Sequence, residues 1–421
     1  MNKRQFIKSL TASGLAIPSF GKDLDKKLSR FEHQNPEEIA QNEDFWAEIR
    51  KAYRIKPDYI NLENGYYSLA PQATLAAFVG HVQAVNFENS YYMRTRQFDD
   101  KLVIRQKLAT LAGCSAEELI VTRNTTESLD TVIAGIDWKP GDEAVMAMQD
   151  YGAMLDMFKL QARRYGMINK IISVPNHPKS DEEIVEIYAQ AITPKTRLLM
   201  VCHIINITGQ ILPVRKICDM AHAKGVEVMV DGAHAFAQID YKISDLNCDY
   251  YGSSLHKWLS VPLGAGFLYV KKDKIGKLWQ MFGDMGYQDD DIRKLNHTGT
   301  HPVHTDLTIS DAIDFYQKIG VSRKEARLRY LQEYWTKQVR DLPNIIVNTP
   351  ADSQRAGAIA NVGIKTMKPA DLAKTLLEKY KIWTVAIDYA NVQGCRITPN
   401  VYTTTAELDT FVAALKELSR G

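Results

Sequence analysis

Apolar residues fall in two rhythms along this chain. Short β-rich runs occupy 119–122, 143–148, 170–174, 198–203, 226–231 and 266–270. Between them, segments such as 125–136 and 215–223 place apolar residues at i, i+3 and i+4. Strands alternating with amphipathic helices predict a mostly parallel sheet with helices on both faces. Residues 32–53 read as a polar helical arm or linker ahead of the α/β text, which starts near Tyr59. The polar stretch 289–302 predicts a loop, and 308–342 predicts one long helix. After Pro343 a second unit follows, with strands at 359–364, 382–386 and 395–398 and a helix at 369–380. Its last helix opens on Thr404-x-x-Glu407, a capping box.

Length agrees with this division. A chain of 421 residues exceeds one ordinary core. The predicted layout is 1–22 leader, 23–58 arm, 59–305 large domain, and 306–421 interdomain helix with a small C-terminal domain. Apolar residues at 45% and charged residues at 24% are the balance of a water-soluble globular protein. A formal charge of only +2, with no long basic run, gives a nucleic-acid partner no electrostatic footing. No apolar run is long enough to span a bilayer. Five scattered cysteines without a CxxC pair argue against a disulfide framework and a metal site.

Residues 1–21, MNKRQFIKSLTASGLAIPSFG, start basic, turn mildly apolar and end in a Pro-Ser turn signal. Lys3-Arg4-Gln5-Phe6-Ile7-Lys8 resembles a twin-arginine (Tat) export motif with Lys in the first Arg position. The expected location is therefore periplasmic. The alternative is an amphipathic leader on a cytoplasmic protein.

The chemistry concentrates in two motifs. Asp231-Gly232-Ala233-His234 ends an apolar strand, where ligands of open α/β sheets sit. On its own the Asp reads first as the cap of the next turn. Ser254-Leu255-His256-Lys257 follows about 25 residues later and precedes a Pro/Gly-rich turn. Lysine usually lies on a solvated surface. Lys257 instead lies between β-rich runs beside His256 and Trp258, a setting that suits an amine used as a Schiff-base nucleophile.

Together these motifs resemble the fold-type I, pyridoxal-5′-phosphate (PLP) enzymes of the aminotransferase class V family. The likeness runs from about Tyr59 to the C-terminus and is nearest the isopenicillin N epimerase-like and cysteine desulfurase-like branch. It implies a large domain with a mostly parallel seven-stranded sheet and a smaller C-terminal α+β domain. It also implies a homodimer with sites at the interface. Lys257 would bind PLP as a Schiff base and move the proton at the substrate α-carbon. Asp231 would pair with the pyridinium nitrogen, and a carboxylate there favours the charged ring. His234 and Asn206 would flank the phenolic oxygen, and Tyr151 would stack on the ring. Thr125 and Thr126, at a helix start, would receive the phosphate, with Ser254, His256 and, across the interface, Thr300. Arg396 would bind the substrate carboxylate with its planar fork, beside Asn64 and Gly65.

Bland readings accompany several of these residues: turn formation for Asn206, helix capping for the threonines, surface packing for Tyr151, a buried salt bridge for Arg396. No metal ligand is implied. The region 380–391, before Arg396, lacks the mobile-loop cysteine of desulfurases, which argues against persulfide chemistry. The resemblance therefore favours an epimerase or racemase acting on an amino acid. An aminotransferase and a C–S (β-elimination) lyase are alternatives. A non-catalytic PLP sensor would need a DNA-binding module, and the leader is too short and lacks a basic helix-turn-helix pattern.

Overall fold

Residues 20–420 of the chain are described by a computed structural model, with side chains from 24 onward. The leader 1–22 falls essentially outside the described residues. Strand β1 (Ile60–Asn61) comes first. The large sheet follows: β2 (Leu119–Thr122), β3 (Glu143–Ala147), β4 (Ile168–Ile172), β5 (Thr196–Cys202), β6 (Glu227–Asp231), β7 (Tyr250–Ser254) and β8 (Gly266–Val270). Their spatial order is β2-β8-β7-β6-β5-β3-β4. The inner pairs run parallel, and β8 runs antiparallel to both its neighbours. This is the seven-stranded, mostly parallel sheet of the expected α/β fold.

Strand periodicity explains how the sheet is covered. Val228 and Val230 of β6 join one core cluster while Met229 joins another. Leu199 and Val201 of β5 likewise separate from Leu198 and Met200. A strand turns successive side chains to opposite faces, so a run apolar on both faces requires a helical layer on each.

A third cluster lies around a four-stranded sheet. Its strands are β9 (Ile345–Val347), β10 (Ala360–Ile364), β12 (Val385–Tyr389) and β13 (Val392–Ile397), in the order β12-β13-β10-β9. The short strand β11 (Ile382–Trp383) pairs with β1, and Leu62 packs in the same cluster. The segment leading to Asn64 is thus carried by the C-terminal unit.

Some elements differ from expectation. The single helix predicted over 308–342 is two, Val303–Ile319 and Val321–Val339. Gly320 separates them at φ 96°, a conformation that a residue with a Cβ rarely adopts. The stretch predicted as a polar arm docks instead. Phe45, Trp46 and Ile49 are buried, and buried Arg327 donates to the Ala40 carbonyl at 2.9 Å and to Glu43 at 2.6 Å. Strand β7 and the helices Gln72–Thr95 and Gln97–Ala112 carry no clear signal in the apolar pattern. The Gln72–Thr95 helix exposes Leu75, Val79, Val82, Phe87 and Tyr91, so its apolar residues are not confined to one core-facing stripe.

Candidate functional site

The parallel strands end on a common edge, and a cleft of about 180 Å³ opens there. Asp231 is the last residue of β6, and Ser254 the last of β7. The following turn carries His256 and Lys257 back over the edge before β8 returns. The Asp-Gly step has a steric reason: a Cβ at position 232 would overlap the Tyr251 hydroxyl. The backbone therefore passes close to β7 and leaves the Asp231 carboxylate facing the cleft.

Asp231 is 5% exposed. Its Oδ1 accepts the Ala233 N–H at 2.9 Å, and the Cys202 sulfur is 4.0 Å from Oδ2. Burial raises its pKa, opposed by nearby Lys257 and the Ala233 hydrogen bond. Such a carboxylate lacks a full counter-charge and suits a basic nitrogen brought in by a ligand.

Lys257 Nζ lies 3.1 Å from His234 Nε2. Trp258 Nε1–H donates to His234 Nδ1 at 3.3 Å. With Nδ1 accepting, a neutral His234 carries its proton on Nε2 and donates it to Lys257. Burial, with Lys257 and Arg396 next, pushes the His234 pKa well down and keeps the imidazole neutral. The arrangement thus favours the free amine of Lys257. Desolvation is the first cause that lowers the lysine's pKa to about 8; Asp231 opposes it and Arg396 assists. An amine poised there is a nucleophile and a proton carrier near neutral pH.

The helix Thr125–Gly135 begins at the cleft with Asn124 as its cap, whose side chain accepts the Glu127 N–H at 2.9 Å. Thr125 N–H donates to Ser254 Oγ at 2.9 Å, and the two hydroxyls are 2.7 Å apart. A helix start, two threonine hydroxyls and Ser254 make a neutral, donor-rich cradle for an anion. His256 faces the same cleft with its Nδ1 buried and unpartnered, and burial lowers its pKa to about 4. An orphaned ring nitrogen beside the cradle fits a ligand that supplies the missing partner.

Tyr151 caps the helix Gly152–Tyr165 and stays 45% exposed, with its ring free at the cleft. Beside it, Asp150 Oδ2 accepts the Ala147 N–H at 2.8 Å, which ties down the turn. Asn206 follows β5 and also lines the cleft; its carbonyl accepts from Arg396 Nη1 at 3.3 Å.

Of the residues singled out in the sequence, the structure gathers Gly65, Thr125, Thr126, Tyr151, Asn206 and Asp231 at one cleft. His234, Ser254, His256, Lys257 and Arg396 complete that set. Asn64 stands behind it: Nδ2 donates to the Thr398 carbonyl at 2.8 Å, and Oδ1 accepts from the Tyr402 hydroxyl at 2.7 Å. Thr300 is exposed in a loop and is not among the residues that line the cleft. Sequence reasoning missed Trp258 as the partner of His234, and Glu63, which holds Arg396 at 2.6 and 3.1 Å. Only the Trp258 position, next to the lysine, carried a signal. Glu63 is 333 residues from its arginine, and no local pattern reports such a pair. Among the described residues, no group of three or more His, Cys, Asp or Glu could hold a metal ion, and no helix is long and apolar enough to cross a membrane.

The donor set fits a group that carries an aldehyde for Lys257, a basic ring nitrogen for Asp231 and a phosphate for the helix start. Comparison with known proteins points the same way. The chain is 26% identical over 391 residues to an isopenicillin N epimerase of Streptomyces clavuligerus, covering 89% of this chain and 98% of that one. It is 28% identical over 395 residues to the isopenicillin N epimerase of Amycolatopsis lactamdurans, covering 89% and 99%. The fold superposes on an apo cysteine desulfurase from Thermococcus onnurineus NA1 with a TM-score of 0.79 at 20% identity, covering 89% of this chain and 98% of that chain. The aminotransferase class-V profile matches residues 68–411, so the chain belongs to that family of PLP-dependent enzymes and its cofactor is pyridoxal 5′-phosphate.

Proposed function

We propose that this enzyme acts at the α-carbon of an amino acid as an isopenicillin N epimerase-like epimerase, with Lys257 as its catalytic residue. The observation that carries the α-carbon reading is the amine of Lys257, 3.1 Å from His234 Nε2 at the cleft shared with buried Asp231. When bound, PLP supplies the electron sink that acidifies a proton on the substrate α-carbon. Lys257 would anchor the cofactor, take that proton and return one. Asp231 would keep the ring nitrogen protonated, and Asn206 and His234 would serve the phenolic oxygen. Thr125, Thr126, Ser254 and His256 would receive the phosphate, and Tyr151 would cover the ring. Arg396 and Gly65 face the substrate, and Asn64 braces their loop.

Epimerisation is favoured by the two full-length relatives that bear that name. Thiol placement supports it. Cys395 is buried, and burial pushes its pKa up to about 12. Cys114 is only partly exposed, and burial, followed by nearby Glu118, also raises its pKa to about 12. Neither is a ready persulfide nucleophile. The test is deuterium wash-in at the α-carbon of a panel of amino acids. Exchange with inversion is the expected result. Keto-acid-dependent turnover would replace this reading by transamination, and release of pyruvate with a thiol would replace it by C–S lysis.

The proposed assembly is a homodimer. Phe87, Tyr91 and Phe98, together with Trp279 and Met285, are each at least 66% exposed, and a second copy of the chain would cover them. Thr300, in the same exposed region of sequence, would then reach a phosphate in the partner's site. Export to the periplasm through the 1–22 leader completes the proposal.

A further inference from the structure

Three adjacent strands of the large sheet, β3, β5 and β6, end side by side at the cleft edge. Cys202 and Asp231 are the last residues of β5 and β6 and are partners in the ladder register. Asp150 lies in the turn that follows β3. In strand order a thiol thus stands between two carboxylates. Cys202 lines the cleft, is 3% exposed, and directs its Sγ at Asp231 Oδ2, 4.0 Å away. It has no part in the α-carbon chemistry assigned above.

The two carboxylates differ in what they can take from the thiol. Asp150 is 2% exposed, its Oδ2 accepts the Ala147 N–H at 2.8 Å, and its Oδ1 is buried without a hydrogen-bond partner. The neighbours that bear on it are the Ala147 N–H, Cys202 and Asp231, and none of them is a cation. A dry carboxylate with a second acid nearby and no counter-charge keeps its proton. Burial accordingly pushes the Asp150 pKa up to about 7. Asp231 faces the cleft, and Lys257 offsets part of its burial. Cys202 is a neutral thiol, because burial above all pushes its pKa up. Its single S–H faces one charged acceptor, Asp231 Oδ2.

We propose that Cys202 is a positioning residue for Asp231: its thiol donates to Oδ2, and Asp150 on its other side stays neutral, so that Asp231 carries the single charge of the three strand ends. This rests on the reading of Asp231 as the partner of the ring nitrogen. A donor to the ionised carboxylate makes Asp231 a weaker base. The proton that the two share is then left on the ring nitrogen, where the electron sink needs it. A thiol that only filled space would have no effect on that proton.

The experiment uses the full-length protein loaded with PLP isotopically labelled at the ring nitrogen, and the same chain without cofactor. In the cofactor-free chain, infrared spectra read the S–H stretch, which falls clear of other protein bands. The Cys202 band is the one that Cys202→Ser removes, and it should move toward the free-thiol frequency in Asp231→Ala. In the loaded protein, nitrogen NMR reads the ring proton directly. Wild type and Cys202→Ser, which keeps a donor, should be protonated alike. Cys202→Ala should lower the midpoint of ring deprotonation by about one pH unit, the size of one lost hydrogen bond. Asp150→Asn exchanges a neutral acid for a neutral amide and should match wild type. A Cys202→Ala midpoint equal to wild type overturns the proposal, as does an S–H band that Asp231→Ala leaves in place. A shifted midpoint in Asp150→Asn would mean that Asp150 is charged, and overturns the single-charge arrangement. Should Cys202→Ala not fold or not hold PLP, the infrared comparison decides alone. An unprotonated ring nitrogen in wild type would instead sink the reading of Asp231, and the S–H band still decides whether Cys202 donates to it.

Discussion

The two edges of the large sheet treat buried charge in opposite ways. At the edge where β6 and β7 begin, the carboxylates Asp249 and Glu227 have several partners each. Asp249, 1% exposed, takes His222 at 2.7 Å, the Val228 N–H at 2.8 Å and Lys274 at 3.4 Å. Glu227 beside it takes the Tyr250 hydroxyl at 2.7 Å, Lys274 at 2.9 Å and Lys277 at 3.0 Å. At the edge where the same strands end, Asp231 has one backbone donor, His256 Nδ1 has none, and Lys257 is held against a neutral imidazole. A buried charge without a counter-charge costs stability. A fold that satisfies one end and leaves the other short has reserved the second for a ligand. The Glu63–Arg396 pair is the exception on the reserved edge.

The sharpest break of this comparison is Lys257→Ala. Turnover should fall by at least about 10^4-fold, since the anchor and the proton carrier go together, while far-UV dichroism and melting temperature persist. A variant with normal turnover removes the reserved edge from the chemistry. Next is the exchange of one aspartate for the other. Asp231→Asn should cost turnover by about 10^2-fold or more, through loss of charge at the ring nitrogen, and leave the cofactor-free chain as stable as before or more so. Asp249→Asn should do the reverse, destabilising the chain by about 1–3 kcal/mol by weakening the buried hydrogen bonds to His222 and the Val228 N–H, while Lys274 keeps Glu227. Denaturant melts and steady-state rates on both variants separate the two edges. Equal stability losses would mean that they do not differ.

How far this contrast was legible in the sequence depends on the distance between partners. Residues 119–270 announce their strands because apolar β-branched runs are local. Asp231 and Lys257 were found because each ends or follows such a run within a dense motif. Strand β7, Tyr-Tyr-Gly-Ser-Ser, has no aliphatic residue to mark it; its burial comes from neighbours on both sides. The break at Gly320 was visible only as a glycine inside a helical rhythm, a position that backbone geometry alone makes a hinge between helices. The satisfied edge was invisible, because Asp249, His222 and Lys274 meet only through strand register. Glu63 was hidden for the same reason.

Titration sharpens the comparison further. The neutral form of Lys257 prevails above about pH 8, so the rate of PLP capture by the cofactor-free chain should rise with pH and level off above that point. The same shift has a stability consequence. A lysine lowered on folding binds fewer protons in the native state between about 8 and its ordinary value, so stability rises with pH across that window. Lys324 contributes with the same sign. It is buried against the Trp258 carbonyl, and burial lowers it to about 7. The Lys257 part is therefore the difference in slope between wild type and Lys257→Met, measured by denaturant melts at several pH values. Identical slopes would place the shift elsewhere.

The smallest effect tests the hydrogen bond that sets the protonation of the reserved edge. Trp258→Phe keeps the aromatic packing and removes the N–H that holds His234 Nδ1 as an acceptor. The imidazole is then free to carry its proton on Nδ1 and to accept from the lysine through Nε2, which stabilises the ammonium instead of the amine. A neutral hydrogen bond contributes about 0.5–1.5 kcal/mol and one pKa unit corresponds to about 1.4 kcal/mol, so the midpoint of PLP capture should move up by at most about one pH unit. A midpoint that stays near 8 in the variant would mean that desolvation alone sets the lysine, with the tryptophan acting only as packing. An upward shift would show that the unsatisfied edge is tuned by a hydrogen bond as well as left open.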